Sequence, residues 1–205
     1  MTCQHCGWET PEQSPERDAL EAMKVDSKAT QCIEEIIRRE GGWKLSKVKH
    51  DRGGWTFAGI SQRANPDWPG WTLAFEHKER RDSTPPPALV TMARVLYKQN
   101  YWDPLQLNAL KVDDLQLEAF DCAVLSGPPN ATRLLQAALG VKSDSVIGPT
   151  TLQAYADVSG NDARAVAALL KLKLYRIQRH CSIVRRNPNQ RKFLLGWVSR
   201  DLGET

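Results

Sequence analysis

No apolar run in this 205-residue sequence approaches the ~20 residues a membrane helix needs, so a spanning helix is excluded. The opening Met1-Thr2-Cys3-Gln4-His5-Cys6 has no basic segment leading into an apolar one, and no secretory signal peptide is expected. No internal repeat occurs, which argues against a repeat array. The five cysteines are an odd number without an export signal, so no disulfide framework is indicated. What remains is ordinary: 41% apolar and 25% charged residues, values of a globular chain and not of a disordered one. The length fits one domain or two small ones.

Cys3 and Cys6 form C-x-x-C-G with His5 between them, half of a zinc knuckle. A structural zinc needs four ligands, and no second C-x-x-C follows, so Cys3 and Cys6 are weak metal candidates beside a reading as free thiols. Cys32 and Cys122 fall within apolar patterns and read as small core residues. The net charge of +4 is unevenly spread. Residues 171–205 hold nine Lys/Arg against two acids, while the first 170 residues are net −3. A basic end points to a polyanionic partner (nucleic acid, anionic lipid or an acidic wall polymer) or to a solvated helix face.

Residues 1–26 are polar, with Pro11, Pro15 and five acids between 9 and 21, and read as an N-terminal extension. Helical spacing of Ala29, Cys32, Ile33, Ile36 and Ile37 predicts a helix over 27–40, stopped by Gly41-Gly42. Residues 43–62 hold glycines and the β-prone Trp55, Thr56, Phe57 and Ile60, which predicts a short hairpin or glycine-rich loop. Residues 63–87 read as loops, with Trp68-Pro69-Gly70-Trp71 and three consecutive prolines. From Ala88 the pattern is helical. Asp113 or Asp114, Asn130, and Asn161 or Asp162 are expected as helix caps, and Gly148-Pro149 as a helix start. The sum is about seven helices and one small β element.

The sharpest local feature is Glu40-Gly41-Gly42-Trp43. The field at a helix C-terminus disfavours a carboxylate, and a carboxyl group that keeps its proton is what a general acid needs. Asp51 follows eleven residues later, then Gly53-Gly54-Trp55-Thr56. A Glu at a helix end, an Asp, and a Thr on a glycine-rich hairpin suit glycosidic cleavage. One carboxyl protonates the leaving oxygen, and a second polar group steadies the oxocarbenium or holds a water. Glycines let the backbone approach a sugar, and Trp55 can stack on one. Asp51 equally suits a turn, Thr56 a strand and Trp55 a core.

Over residues 33–202 the sequence resembles the glycoside hydrolase family 108 muramidases, which include phage endolysins. Ile36-Ile37-Arg38-Arg39-Glu40-Gly41-Gly42-Trp43 resembles the family's E-G-G-aromatic signature. Asp51 to Ile60 resembles D-P-G-G-x-T-x-[FY]-G-I, with Arg52 for Pro and Ala58 for the aromatic. Tyr97-Lys98-Gln99-Asn100-Tyr101-Trp102-Asp103-Pro104 is similar to Y-x-x-x-Y-W-D-P. Phe120 to Gly127 is similar to F-D-x-A-V-N-S-G, with Leu125 for Asn. Leu134 to Gly140 resembles the L-Q-x-x-L-G helix of the family's peptidoglycan-binding region. Asp144 to Leu152 resembles its D-G-x-x-G-P-x-T-L loop, with Ser145 for Gly.

The resemblance implies a mainly α, lysozyme-like helical fold with one small β-hairpin or glycine-rich loop after the catalytic helix. It implies cleavage of the β-1,4 bond between N-acetylmuramic acid and N-acetylglucosamine, with Glu40 as general acid. Asp51 is the second catalytic candidate, as transition-state stabiliser or water positioner, and Thr56 helps place a water. Trp55, Tyr101, Trp102 and Asp121 are groove candidates. No cofactor or metal is required. The expected organisation is an extension over 1–26, a catalytic region over 27–125 and a peptidoglycan-binding region over 126–205, packed as one compact unit. The expected partner is bacterial peptidoglycan, with anionic envelope lipids at the basic end and no nucleic acid. As a phage endolysin the protein would await a holin in the host cytoplasm, then act in the periplasm. A lytic transglycosylase and a catalytically silent wall-binding protein are the alternatives.

Overall fold

The structure is a computed structural model that describes residues 27–47, 54–81 and 83–203. The Cys3/Cys6 arm and Asp51 lie outside the described residues. The fold is mainly α and lysozyme-like, with one small antiparallel sheet. Packing divides the chain into two compact units, one through Leu96 and one from Tyr97.

In the first unit, helix α1 (Ser27–Arg39) buries Ala29, Cys32, Ile33, Ile36 and Ile37 as their spacing requires. Three short strands follow: β1 (Leu45–Lys47), β2 (Trp55–Phe57) and β3 (Ile60–Ser61), in the order β1-β2-β3. Ser46 faces Thr56, and Thr56 faces Ser61, so Thr56 sits at the middle of the sheet. The β2–β3 turn is Ala58-Gly59, with φ of 48° and 82°. Positive φ at both central residues gives the two-residue turn whose twist matches a hairpin.

The sheet is backed by a helix where the proline- and glycine-rich composition predicts loop. Helix α2 (Gly70–Arg80) begins inside Trp68-Pro69-Gly70-Trp71. Proline and glycine read as turn punctuation there, but Pro69 has helical dihedrals (φ −65°, ψ −18°) and introduces the helix. Gly70 is a packing requirement: a Cβ at this position would come within 2.3 Å of the Trp68 ring. Trp68 stacks on Phe57 (6.2 Å between centroids) and meets Trp71 edge-on at 5.1 Å. Helix α3 (Pro87–Tyr97) follows, and its Arg94 reaches back to α1.

The second unit opens with a π-helical turn (Lys98–Trp102) and two 3-10 turns (Asp103–Leu105, Leu107–Ala109). Then come α4 (Asp113–Ser126), α5 (Pro128–Leu139), α6 (Pro149–Ser159), α7 (Asp162–Arg186), a 3-10 segment (Pro188–Phe193) and α8 (Leu194–Leu202). Trp102 and Phe120 meet edge-on at 5.5 Å in the core, and the buried Tyr155 hydroxyl donates to the Leu105 carbonyl at 2.9 Å.

Two expected caps are replaced. Val112 occupies the cap of α4, with Asp113 and Asp114 inside the first turn, where their charges still favour the helix dipole. Gly127 occupies the cap of α5 because Pro128 and Pro129 begin the helix; Asn130 instead donates to the Ser126 carbonyl at 2.7 Å. Asn161 does cap α7, its side chain accepting from the Arg164 amide at 2.9 Å, and Gly148-Pro149 does open α6.

Candidate active site

Glu40 owes its position to two glycines. It is the residue after α1, its amide still donating to the Ile36 carbonyl at 2.9 Å. Gly41 (φ 97°) then donates to the Arg38 carbonyl at 3.2 Å and Gly42 (φ 83°) to the Ile37 carbonyl at 2.8 Å. These bonds form a Schellman ending, which turns the chain sharply away from the helix axis. Glu40 is thereby left exposed at the corner. The corner is tied to the sheet: the Lys44 amide donates to the Gly42 carbonyl at 2.8 Å, and the Lys44 carbonyl accepts from the Ala58 amide at 3.1 Å.

Trp43, next along, is fixed on three sides. Its indole N–H donates to Glu34 at 3.3 Å, its ring lies 6.1 Å from Phe57, and the Arg94 guanidinium sits 5.9 Å from its centroid. Arg94 Nε donates to the other carboxylate oxygen of Glu34, Oε1, at 2.7 Å. Below it, Glu35 bridges Arg38 and Arg39, each at 2.8 Å. Hydrogen bonds from Arg38, with Arg39 assisting, hold its carboxyl down at about 2. A groove of about 590 Å³ runs along this side of α1, bordered by Thr30, Gln31, Glu34, Glu35 and Trp43. Glu34 and Arg94 are 60 positions apart and carry no local pattern, so the Glu34–Arg94–Trp43 clamp has no signature in the sequence.

On β2, Trp55 and Phe57 share one face and Thr56 points to the other, by the alternation of a strand. Phe57 is fully buried. Trp55 is half-buried, edge-on to Phe75 at 5.7 Å, with the Lys78 ammonium 4.0 Å from its ring centroid and Lys47 at 5.6 Å. Its ring is occupied by cations in this conformation, a geometry worth about 0.5–2 kcal/mol. Lys47 opposes Trp55 in register.

The candidates of the second unit separate by burial. Tyr101 is half-buried, 5.8 Å from Tyr97, and burial raises its hydroxyl pKa. Trp102 is fully enclosed, with its indole N–H donating to Asn108 at 2.7 Å. Asp121 is fully enclosed as well. The expectation of Trp102 and Asp121 in a groove therefore meets a different arrangement: neither offers an atom to a sugar in this conformation. Asp121 binds Arg176 at 2.6 Å and Arg200 at 2.7 Å. Arg176 also binds Glu118 and, at 2.7 Å, Asp201, while Asp201 faces His180 at 3.1 Å. Burial works against the Asp121 carboxylate, but the two arginines outweigh it and lower its pKa. At Glu118 burial wins and the pKa rises. Lys173, 3.4 Å from Glu118, joins this cluster, so three of the nine basic residues of the C-terminal stretch are turned inward onto carboxylates.

A neutral hub lies nearby. The buried Gln136 side chain donates to Asp144 and to the Val146 carbonyl, each at 2.9 Å, and accepts from the Ser145 amide at 3.0 Å. One glutamine thus shapes the loop between α5 and α6, the physical content of the L-Q and D-S-x-x-G-P segments.

Among the described residues no cluster of three or more His, Cys, Asp or Glu could hold a metal, and no helix is long and apolar enough to cross a membrane. Residues 33–127 match the family model Glycosyl hydrolase 108, and residues 130–202 match the Predicted Peptidoglycan domain. The chain is similar to the structure of Brucella abortus SagA, at 25% identity and a TM-score of 0.58, over 86% of this chain and 90% of that one. No curated protein matches the chain. Residues 33–127 are thus a glycosyl hydrolase 108 region and residues 130–202 a peptidoglycan domain, and together they make the chain a peptidoglycan hydrolase.

Proposed function

We propose that the protein is an N-acetylmuramidase that cleaves the β-1,4 bond between N-acetylmuramic acid and N-acetylglucosamine. The observation that carries this reading is the Glu40 corner: an exposed carboxyl at a helix end, fixed by a Schellman turn and bonded through Lys44 to the sheet. Glu40 protonates the leaving glycosidic oxygen. Asp51, on the β1–β2 connection, stabilises the oxocarbenium or positions the water. Thr56, at the centre of the sheet and on the face opposite the Phe57 core, helps hold that water. Of the aromatic candidates, Tyr101 keeps an accessible edge for a sugar, and Trp55 becomes available once Lys78 moves off its ring.

The biological setting we propose is host lysis by a bacteriophage. The enzyme accumulates in the host cytoplasm and gains the periplasmic wall through a holin. The exposed remainder of the basic end meets anionic envelope lipids.

The deciding experiment compares wild type with Glu40→Gln on purified peptidoglycan, with mass spectrometry of the released muropeptides. Wild type should release reducing muramic acid ends and the variant none, while both still bind the wall. Anhydro-muramic ends would make the enzyme a transglycosylase, and equal clearing by both proteins would remove Glu40 from the mechanism. Asp51→Asn should slow the reaction ten-fold or more, at least ~1.4 kcal/mol in barrier.

A further inference from the structure

The second unit holds a small groove of about 240 Å³ between α5, α6 and α7 that the cleavage chemistry does not use. Its apolar lining is Ala138, Ala154 and Ala168, all buried, with Leu139, Val158 and Ala167. One wall carries Arg164 and Lys171 from α7; the other carries Asp157 from α6. All three charged residues are exposed. Asp157 Oδ1 accepts from Gln153 at 2.9 Å, which leaves Oδ2 open. Among the described residues neither the Arg164 nor the Lys171 side chain has an acidic partner. This contrasts with Lys173 and Arg176 on the same helix, which are both engaged in ion pairs.

We infer that this groove binds the stem peptide of peptidoglycan, a proposal that rests on the wall-hydrolase reading. Three features match. Arg164 and Lys171 are seven residues apart, two helical turns, so their charges stand about 10 Å apart along one wall. An extended peptide advances ~3.3 Å per residue, so carboxylates about three residues apart in a ligand meet both cations. Asp157 across the groove suits a single ammonium between those carboxylates. A lining of alanine methyls with Leu139 and Val158 suits small apolar side chains such as alanine. A wall stem peptide has this composition: small residues, several free carboxylates and, where the third residue is diaminopimelate, one free amine. A glycan strand offers neither the ammonium nor carboxylates in that spacing. The groove gives the peptidoglycan domain a ligand distinct from the bond that is cut.

The test is calorimetric titration of the full chain with the tetrapeptide L-Ala–γ-D-Glu–meso-diaminopimelate–D-Ala, beside a chitotetraose titration. Wild type should bind the tetrapeptide, and Arg164→Glu/Lys171→Glu should weaken it ten-fold or more. Asp157→Asn should weaken the tetrapeptide but not an analogue whose side-chain amine is acetylated. These residues are exposed, and unchanged circular dichroism will establish that the variants fold. No tetrapeptide binding by wild type, or equal binding by the charge-reversed variant, overturns the proposal. So does displacement of the tetrapeptide by chitotetraose. Failure of the hydrolase reading is separable. Active Glu40→Gln protein would refute that reading with peptide binding intact, whereas loss of peptide binding in an active wild type refutes only the groove.

Discussion

The Arg176 guanidinium donates to Asp121 Oδ2 at 2.6 Å across 55 positions of sequence. The same guanidinium binds Glu118 and Asp201, so one side chain from α7 neutralises carboxylates from both α4 and α8. Burial by itself would drive Arg176 toward the neutral form, but the surrounding acids raise its pKa and keep it charged. Replacing it strands buried charge, which is far more costly than never having built the pair. Arg176→Met should therefore lose about 3–5 kcal/mol in denaturant unfolding. A loss below 1 kcal/mol would mean that water reaches the cluster.

The cluster also gives the stability an acid limb. Asp121 has a folded pKa below its unfolded value. Its contribution is present above about pH 4 and is lost as the pH falls toward the folded value. Glu118 has the opposite sign: its folded pKa is raised, so its contribution is present below about pH 4 and is lost as the pH climbs through the folded value. Asp121→Asn should flatten the fall in stability below pH 4. Glu118→Gln should leave that fall in place and remove the loss above it. Unfolding free energies measured between pH 2 and pH 7 give both slopes. Glu35 titrates near 2, but its pairs with Arg38 and Arg39 are solvent-screened and should add little.

What the sequence made legible follows from the range of each interaction. The α1 apolar spacing, the Gly41-Gly42 stop and the Asn161 cap are local, and local patterns survive in a single chain. Helix α2 was illegible because Pro69 and Gly70 act there through their contacts with Trp68, and the same dipeptide elsewhere makes a turn. Asp121 reads from its motif as a groove candidate. Its true neighbours, Arg176 and Arg200, lie 55 and 79 positions away, where no spacing rule reaches. The Glu34–Arg94 pair was hidden for the same reason. Asp51 rests on its order along the chain and on the motif that Asp51 to Ile60 resembles, and lies outside the described residues.

Ser145 occupies a left-handed backbone position with φ 69°. The resembling family has glycine there, and glycine enters this region without the steric cost that a Cβ incurs. The contact that matters, Ser145 amide to Gln136 Oε1 at 3.0 Å, is made by the backbone and survives substitution. Ser145→Gly should raise stability by about 0.5–1 kcal/mol, seen as a higher Tm.

Gly41 tests the corner from the other side. A Cβ there would touch nothing within 4 Å, so Gly41→Ala probes backbone conformation without a clash. At φ 97° an alanine is strained, and the expected cost is about 1 kcal/mol in denaturant unfolding. The Schellman turn should loosen, and with it the direction of Glu40. Turnover on peptidoglycan should fall several-fold under conditions where circular dichroism reports a native chain. Unchanged turnover would show that Glu40 needs no fixed corner.

The carboxylate–guanidinium cluster has a bearing on modularity. Glu118 and Asp121 belong to the stretch that matches the glycosyl hydrolase, whereas Arg176, Arg200 and Asp201 belong to the stretch that matches the peptidoglycan domain. The two matched stretches therefore share one interior. A fragment ending at Gly127 would carry acids that had lost their counter-charges, and a chimera with a foreign wall-binding module would inherit the same defect. Exchange of the binding region in this chain would have to carry α4 along with it.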